Sequence, residues 1–186
     1  IGNHSEILLK SGADVTFTDI SAESLKILTR FFKSYKNLKT LEADMENLPL
    51  EDNTFNVVVS AGSISYGDKN LIQKEIYRIL KPDGYFIMVD TLNNNPIYRL
   101  NRYFKYLKGK RSKSTLVNML SFEDIMNYEK HFMIQDIFFF GSLIWLEPIF
   151  KLFFSDKYID KIFNNFDDKV NVKKSAFKFV SVMKKC

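Results

Sequence analysis

The sequence predicts an α/β domain on a mostly parallel sheet covered on both faces. Three observations carry this. Helix-like and strand-like segments alternate with short turns over the first ninety residues. The run F-N-V-V-V-S at 55–60 is nearly all apolar, as in a strand buried on both sides. Two successive strands each end at an aspartate, Asp19 and Asp44.

The elements follow in order. Residues 5–11 read as a short helix that Gly12 can terminate. V-T-F-T after Asp14 is a strand ending at Asp19. Ser21 is suited to N-cap the next helix, with Glu23 in its first turn and Leu25, Leu28, Phe31 and Phe32 on one face. Residues 38–43 form a strand ending at Asp44, and Leu48-Pro49-Leu50-Glu51-Asp52-Asn53 is turn chemistry. A helix over 69–80 turns Leu71, Ile72, Ile76, Ile79 and Leu80 inward. It stops at Lys81-Pro82-Asp83-Gly84, where proline cannot continue it, and residues 85–90 make the next buried strand.

After Asp90 the texture changes. Asn93-Asn94-Asn95-Pro96 is a loop. Residues 97–108 are helical in pattern, with Leu100, Tyr103, Phe104 and Leu107 on one side and Arg99, Arg102, Lys105 and Lys108 towards another. Ser121 and Asp124 make a capping box for a helix to about Tyr128. Residues 132–140 are a strand. The apolar stretch 137–154 is interrupted by Gly141, Glu147, Pro148 and Lys151, so a core or interfacial helix over 142–154 is expected rather than a span. Residues 176–183 alternate as a final strand, expected at an edge because Lys184 and Lys185 follow.

Composition bounds the function. The length of 186 residues suits one domain, and 46% apolar with 26% charged residues excludes wholesale disorder. The lone Cys186 excludes an internal disulfide framework and a cysteine zinc cluster, and His4 and His131 are too few for a His-rich metal site. No metal is therefore expected. No charged-then-apolar leader is visible, so the expectation is a cytoplasmic chain whose front end has been lost or left out. The net charge of +5 is local. Residues 91–122 hold no acid and seven cations (Arg99, Arg102, Lys105, Lys108, Lys110, Arg111 and Lys113), and +5 less those seven leaves the remainder at −2. A local anionic partner is expected, not nucleic acid.

Gly2 precedes a helix, where a ligand can approach backbone N–H groups. Asp19 stands where a nucleotide-binding βαβ unit places a carboxylate for ribose hydroxyls; capping the next turn is the plainer use of it. Asp44, with Met45 beside it, suits the adenine side of an adenosine. Groups near the strand ends that could serve the chemistry are Ser63, Tyr66, Asp90 and His131.

With these residues the chain resembles a class I S-adenosylmethionine-dependent methyltransferase of the "type 11" group, clearly over residues 1–90 and more loosely over 176–183. The resemblance implies a Rossmann-like, doubly wound sheet of seven strands, with the C-terminal strand antiparallel and the first strand missing from this chain. It implies S-adenosylmethionine as cofactor, held by Gly2, Asp19, Ile20, Asp44, Met45, Ser60 and Ala61. Leu80-Lys81-Pro82-Asp83-Gly84 matches the turn before the family's fifth strand. One domain is expected: a cofactor-binding half over 1–90, a basic substrate cover over 91–135, and C-terminal helices with the last strand over 136–186.

For the acceptor, Tyr66, Arg99 and Arg102 are the candidates, with Tyr66 and His131 as catalytic groups. The basic segment admits three readings: an anionic substrate, docking on an anionic membrane face, or a solvated surface. Residues 91–115 also resemble methyltransferases of bacterial surface-polysaccharide pathways, which implies O-methylation of a phosphate-bearing or lipid-linked sugar. The alternatives are a C- or N-methyltransferase on a lipid or quinone-like acceptor, and a non-catalytic partner subunit that keeps the fold.

Overall fold

The computed structural model describes residues 5–110, 112–169 and 175–186. Gly2 and His4, expected at the cofactor loop, lie outside the described residues, as does Arg111. The chain divides into two compact units, Ile1–Glu51 and Asp52–Cys186.

In the first unit, α1 (Ser5–Lys10), β1 (Val15–Asp19), α2 (Ala22–Phe31) and β2 (Leu38–Glu42) follow one another. The two strands are parallel, in register from Val15 opposite Leu38 to Asp19 opposite Glu42. The Ser21 hydroxyl accepts the Ser24 N–H and starts α2, which buries Leu25 and Leu28 at the spacing of a helical face.

The second unit holds β3 (Phe55–Ala61), α3 (Lys69–Ile79), β4 (Leu80–Thr91), α4 (Pro96–Leu107), α5 (Lys113–Val117), α6 (Phe122–Met126), β5 (Phe132–Phe140), α7 (Glu147–Phe150), α8 (Asp156–Lys169) and β6 (Lys178–Lys185). Its sheet runs β3-β4-β6-β5. β3 and β4 are parallel, whereas β6 is antiparallel to both of its neighbours. The described residues thus form a mixed α/β arrangement of six strands in sheets of two and four.

Strand alternation puts Phe86, Met88 and Asp90 on one face of the four-stranded sheet, with Phe179, Ser181 and Met183 opposite them on β6. All six are buried. Tyr128 stacks on Phe86, and Tyr77 of α3 meets Phe132 edge-on, so this face is the core. The other face leaves Val57, Val59, Tyr85, Met133, Phe138 and Phe140 more than a third exposed.

Several sequence expectations change: Val57 and Val59 are more than a third exposed although 55–60 read as buried on both sides, Leu71 is 43% exposed although it read as inward, and the helix expected to residue 80 ends at Ile79 with Leu80 already in β4. β6 is interior, between β4 and β5, not at an edge; Lys185 is buried there and donates to the Tyr77 and Leu80 carbonyls and to Asn53 Oδ1. The stretch 142–154 is not one helix: a 3₁₀ turn at Ile144–Leu146 leads into the single turn of α7. α8 went unread, although Ile159 and Phe163 are buried at i, i+4. On α4, whose inward face the sequence left open, Tyr98 and Arg102 point inward, while Leu100, Tyr103, Phe104 and Leu107 are at least half exposed. Among the described residues no helix is long and apolar enough to cross a membrane.

Candidate functional site

The first unit brings Asp19 and Asp44 to one edge. Asp19 is the last residue of β1, and Asp44 lies two residues beyond the end of β2. The Ala43 N–H donates to the Asp19 carbonyl at 3.1 Å, so the parallel register continues to the residue before Asp44. Each carboxylate turns on its own backbone: Asp19 Oδ1 accepts the Ser21 N–H at 2.8 Å, and Asp44 Oδ1 accepts the Glu46 N–H at 2.9 Å. These Asx-type bonds fix the side chains and leave the second oxygen of each without a recorded partner among the described residues. Both are exposed, as is Ile20, while Met45 is half-buried. A depression of about 380 Å³ in this unit lies along α2 and β2, lined by Ala22, Leu25, Lys26, Thr29, Thr40 and Glu42, and includes neither aspartate.

The second unit presents its own carboxyl edge. Ser60 and Ala61 end β3, and the Ser60 and Ser63 hydroxyls are 2.8 Å apart. Gly62 turns the chain at φ +74° and donates to the Val89 carbonyl, which ties this turn to the end of β4. Tyr66 follows in a 3₁₀ turn and is 69% exposed.

Asp90, at the end of β4, is 5% exposed. Its Oδ1 accepts the Thr91 N–H at 2.6 Å; its Oδ2 is buried with no partner among the described residues. Burial pushes this carboxyl above the usual range, against the Thr91 hydrogen bonds and the Arg102 charge. The Tyr128 hydroxyl is also buried and unpartnered. Burial raises its pKa, and the charges of Asp124 and Asp90 add to the rise.

Of the two arginines expected at an anionic acceptor, Arg102 is taken up by the fold. It is buried, donates to the Leu92 carbonyl at 2.9 Å and to Asn93 Oδ1 at 3.2 Å, and lies against the Tyr98 and Phe177 rings. Arg99 is exposed and lines an open depression of about 400 Å³ with Asn93, Pro96, Leu100, Tyr103 and Leu116. His131 sits away from these groups. It precedes Phe132, which pairs with Lys185 beside the start of the Tyr85 ladder, so it lies at the amino edge of β4. Its ring packs 5.5 Å from Tyr77, and its N–H donates to the Tyr128 carbonyl. A base for a reaction at the carboxyl edge is therefore not expected there.

Residues 1–88 match the family model described as a methyltransferase domain. A solved geranyl diphosphate C-methyltransferase from Streptomyces coelicolor, in complex with Mg2+, geranyl diphosphate and S-adenosyl-L-homocysteine, superposes with a TM-score of 0.66. It covers 99% of this chain and 68% of that one at 14% identity, a likeness of fold alone. The chain has the methyltransferase fold. Two curated relatives align with its front part. A demethylmenaquinone methyltransferase from Chlorobaculum tepidum is 35% identical over 113 residues, 56% of this chain and 45% of that enzyme. A sterol methyltransferase-like protein from Botryococcus braunii is 34% identical over 95 residues, 48% of this chain and 24% of that protein. The chain thus spans less than half the length of either relative. Within a methyltransferase fold, the buried Asp90 is the group whose condition the sequence could not convey. Its position at a strand end was legible, but its enclosure depends on Tyr128 and β6, both remote in sequence.

Proposed function

We propose that the protein transfers a methyl group from S-adenosylmethionine to carbon of a lipid-type, quinone-like acceptor. The observation that carries the cofactor is the shared carboxyl edge of β1 and β2, where Asp19 and Asp44 each keep an oxygen turned away from its own backbone bond. This donor set fits: one carboxylate can accept from ribose hydroxyls, the other from an exocyclic amine, and Met45 offers a polarizable surface for a ring. When bound, the cofactor supplies an electrophilic methyl on a sulfonium. Asp19, Ile20, Asp44 and Met45 are assigned to its adenosine end. The sequence resemblance alone assigns Ser60 and Ala61 to its methionine end, and Tyr66 and Arg99 to the acceptor.

The quinone-type acceptor, the alternative in the sequence reading, takes precedence over the sugar hydroxyl because both curated relatives act, by name, on a demethylmenaquinone or a sterol. Methylation at ring carbon forms a C–C bond, and the carbon then sheds a proton. Tyr66, exposed beyond the carboxyl end of β3, is assigned to take up that proton. The cofactor would supply that methyl from its sulfonium and would leave as the thioether, keeping the electron pair of the broken bond.

The test is calorimetric titration of the full-length protein with S-adenosylmethionine, repeated for Asp19→Ala, followed by mass spectrometry of products from a short-chain demethylmenaquinol. Binding should weaken at least about tenfold in the variant, as expected for a lost charge-assisted contact. Equal binding by both proteins would overturn the cofactor assignment, and an unmodified quinol with intact binding would overturn the acceptor.

A further inference from the structure

We infer that α4 and the turn that follows it form a docking surface for an anionic lipid bilayer. The helix is built inside out. Ile97, Leu100, Phe104 and Leu107 recur at i, i+3, i+7 and i+10, and with Tyr103 they are 46–60% exposed. In water such a stripe ordinarily faces a core. Turned outward it makes a contiguous apolar patch of the kind that marks an interaction site.

What faces inward holds that orientation. The Arg102 guanidinium is 4% exposed, bound to the Leu92 carbonyl and enclosed by Tyr98 and Phe177. The Tyr98 hydroxyl donates to the Gly141 carbonyl at 3.0 Å. Rolling the helix to hide its apolar stripe would strip a buried cation of its partners, a costly exchange. The stripe is therefore fixed towards solvent.

Charge selects the occupant. Arg99, Lys105 and Lys108 flank the stripe, and Lys110 and Lys113 follow it. All five are exposed, and none forms an ion pair among the described residues. No acid occurs from 91 to 122. An apolar stripe flanked by lysines is the pattern of a helix lying in the headgroup region, where basic residues are drawn to anionic lipid. Three of the five exposed stripe residues, Ile97, Leu100 and Leu107, are aliphatic, which suits acyl chains better than the stacked bases of single-stranded nucleic acid, for which only Tyr103 and Phe104 of the stripe offer rings. The inference goes beyond methyl transfer and does not rest on the identity of the acceptor.

The test is co-sedimentation of the full chain with vesicles of phosphatidylcholine alone and of phosphatidylcholine mixed with phosphatidylglycerol. Partitioning should favour the mixed vesicles and fall with added salt. Leu100→Ser/Phe104→Ser should lower it at least about tenfold, and Lys105→Glu/Lys108→Glu by about tenfold with loss of the salt dependence. All four positions are exposed, so circular dichroism and melting should stay at wild-type values, which separates lost docking from lost folding. Equal partitioning of wild type and both variants, or binding to neither vesicle, overturns the inference. A wild-type dimer that Leu100→Ser/Phe104→Ser converts to monomer, without vesicle binding, overturns it in favour of a second copy of the chain on this face.

Discussion

Replacing Asp90 by asparagine removes a charge and keeps the shape. One carboxyl oxygen accepts the Thr91 N–H at 2.6 Å, which an amide oxygen can also do; the other is buried with no partner among the described residues. Burial lifts the folded pKa above 3.8, against the Thr91 hydrogen bonds and the Arg102 charge. An acid whose folded pKa is raised keeps its proton longer when folded. Its favourable contribution is complete below pH 3.8 and lost as pH rises through the folded value. At pH 7 the ionised group therefore works against folding. The amide nitrogen of asparagine would sit unpartnered in the same place, so the substitution removes the buried charge and not the unpaired atom. Asp90→Asn should thus gain about 1 kcal/mol at pH 7, or about 2–4 °C in Tm for a chain of this size. Melting curves of both proteins from pH 7 down to pH 4 check this, because the gap should close towards the acid end. A variant less stable than wild type at pH 7, or a gap that does not change with pH, would refute the reasoning.

Arg102→Ala should destabilise the fold by about 2–3 kcal/mol, seen in denaturant melts, because it strands the Leu92 carbonyl and empties the space against Tyr98 and Phe177. Arg99→Ala, at an exposed position, should leave stability within about 0.5 kcal/mol in the same melts. Gly84→Ala would place a Cβ 2.8 Å from the Lys81 carbonyl and 3.1 Å from that of Asn56, and should cost about 1–3 kcal/mol, measured by urea titration. Asp124 feels burial, but its bonds to Lys69 and Ser121 outweigh it and hold its pKa below 3.8. That contribution is present above pH 3.8 and is lost as pH falls through the folded value. Asp124→Asn should therefore cost about 1–2 kcal/mol at pH 7, with the difference shrinking in melts below pH 4.

Local chemistry was legible in the sequence. Ser21 caps α2, Ser121 and Asp124 make their box, and β1 ends at Asp19, because each depends on residues within a few positions. The helix before Pro82 also ends close to where expected, at Ile79, but residues 81–84, read as a turn, fall inside β4. What the sequence could not show depends on distant partners. The period of α4 was clear, but which face turns inward was decided by the Leu92 carbonyl and the Phe177 ring, not by the helix itself. Lys185 read as an edge signal because a lysine in an interior strand is costly; the carbonyls of Tyr77 and Leu80, which make it tolerable, are more than a hundred residues away. In the candidate site, the positions of Asp19 and Asp44 at or just past a strand end were legible from neighbouring residues. The enclosure of Asp90 and the removal of His131 to the other edge required the order β4-β6-β5.

That strand order sets a timetable for synthesis. β5 pairs only with β6 among the described residues, and β6 leaves the ribosome after α7 and α8 have been made. Until then Phe132–Phe140, with four phenylalanines, has no neighbour to bond with and is exposed to other nascent chains. Slowing translation between α8 and β6 should lengthen that interval and raise the demand for chaperones, whereas the same pause after β6 should have little effect.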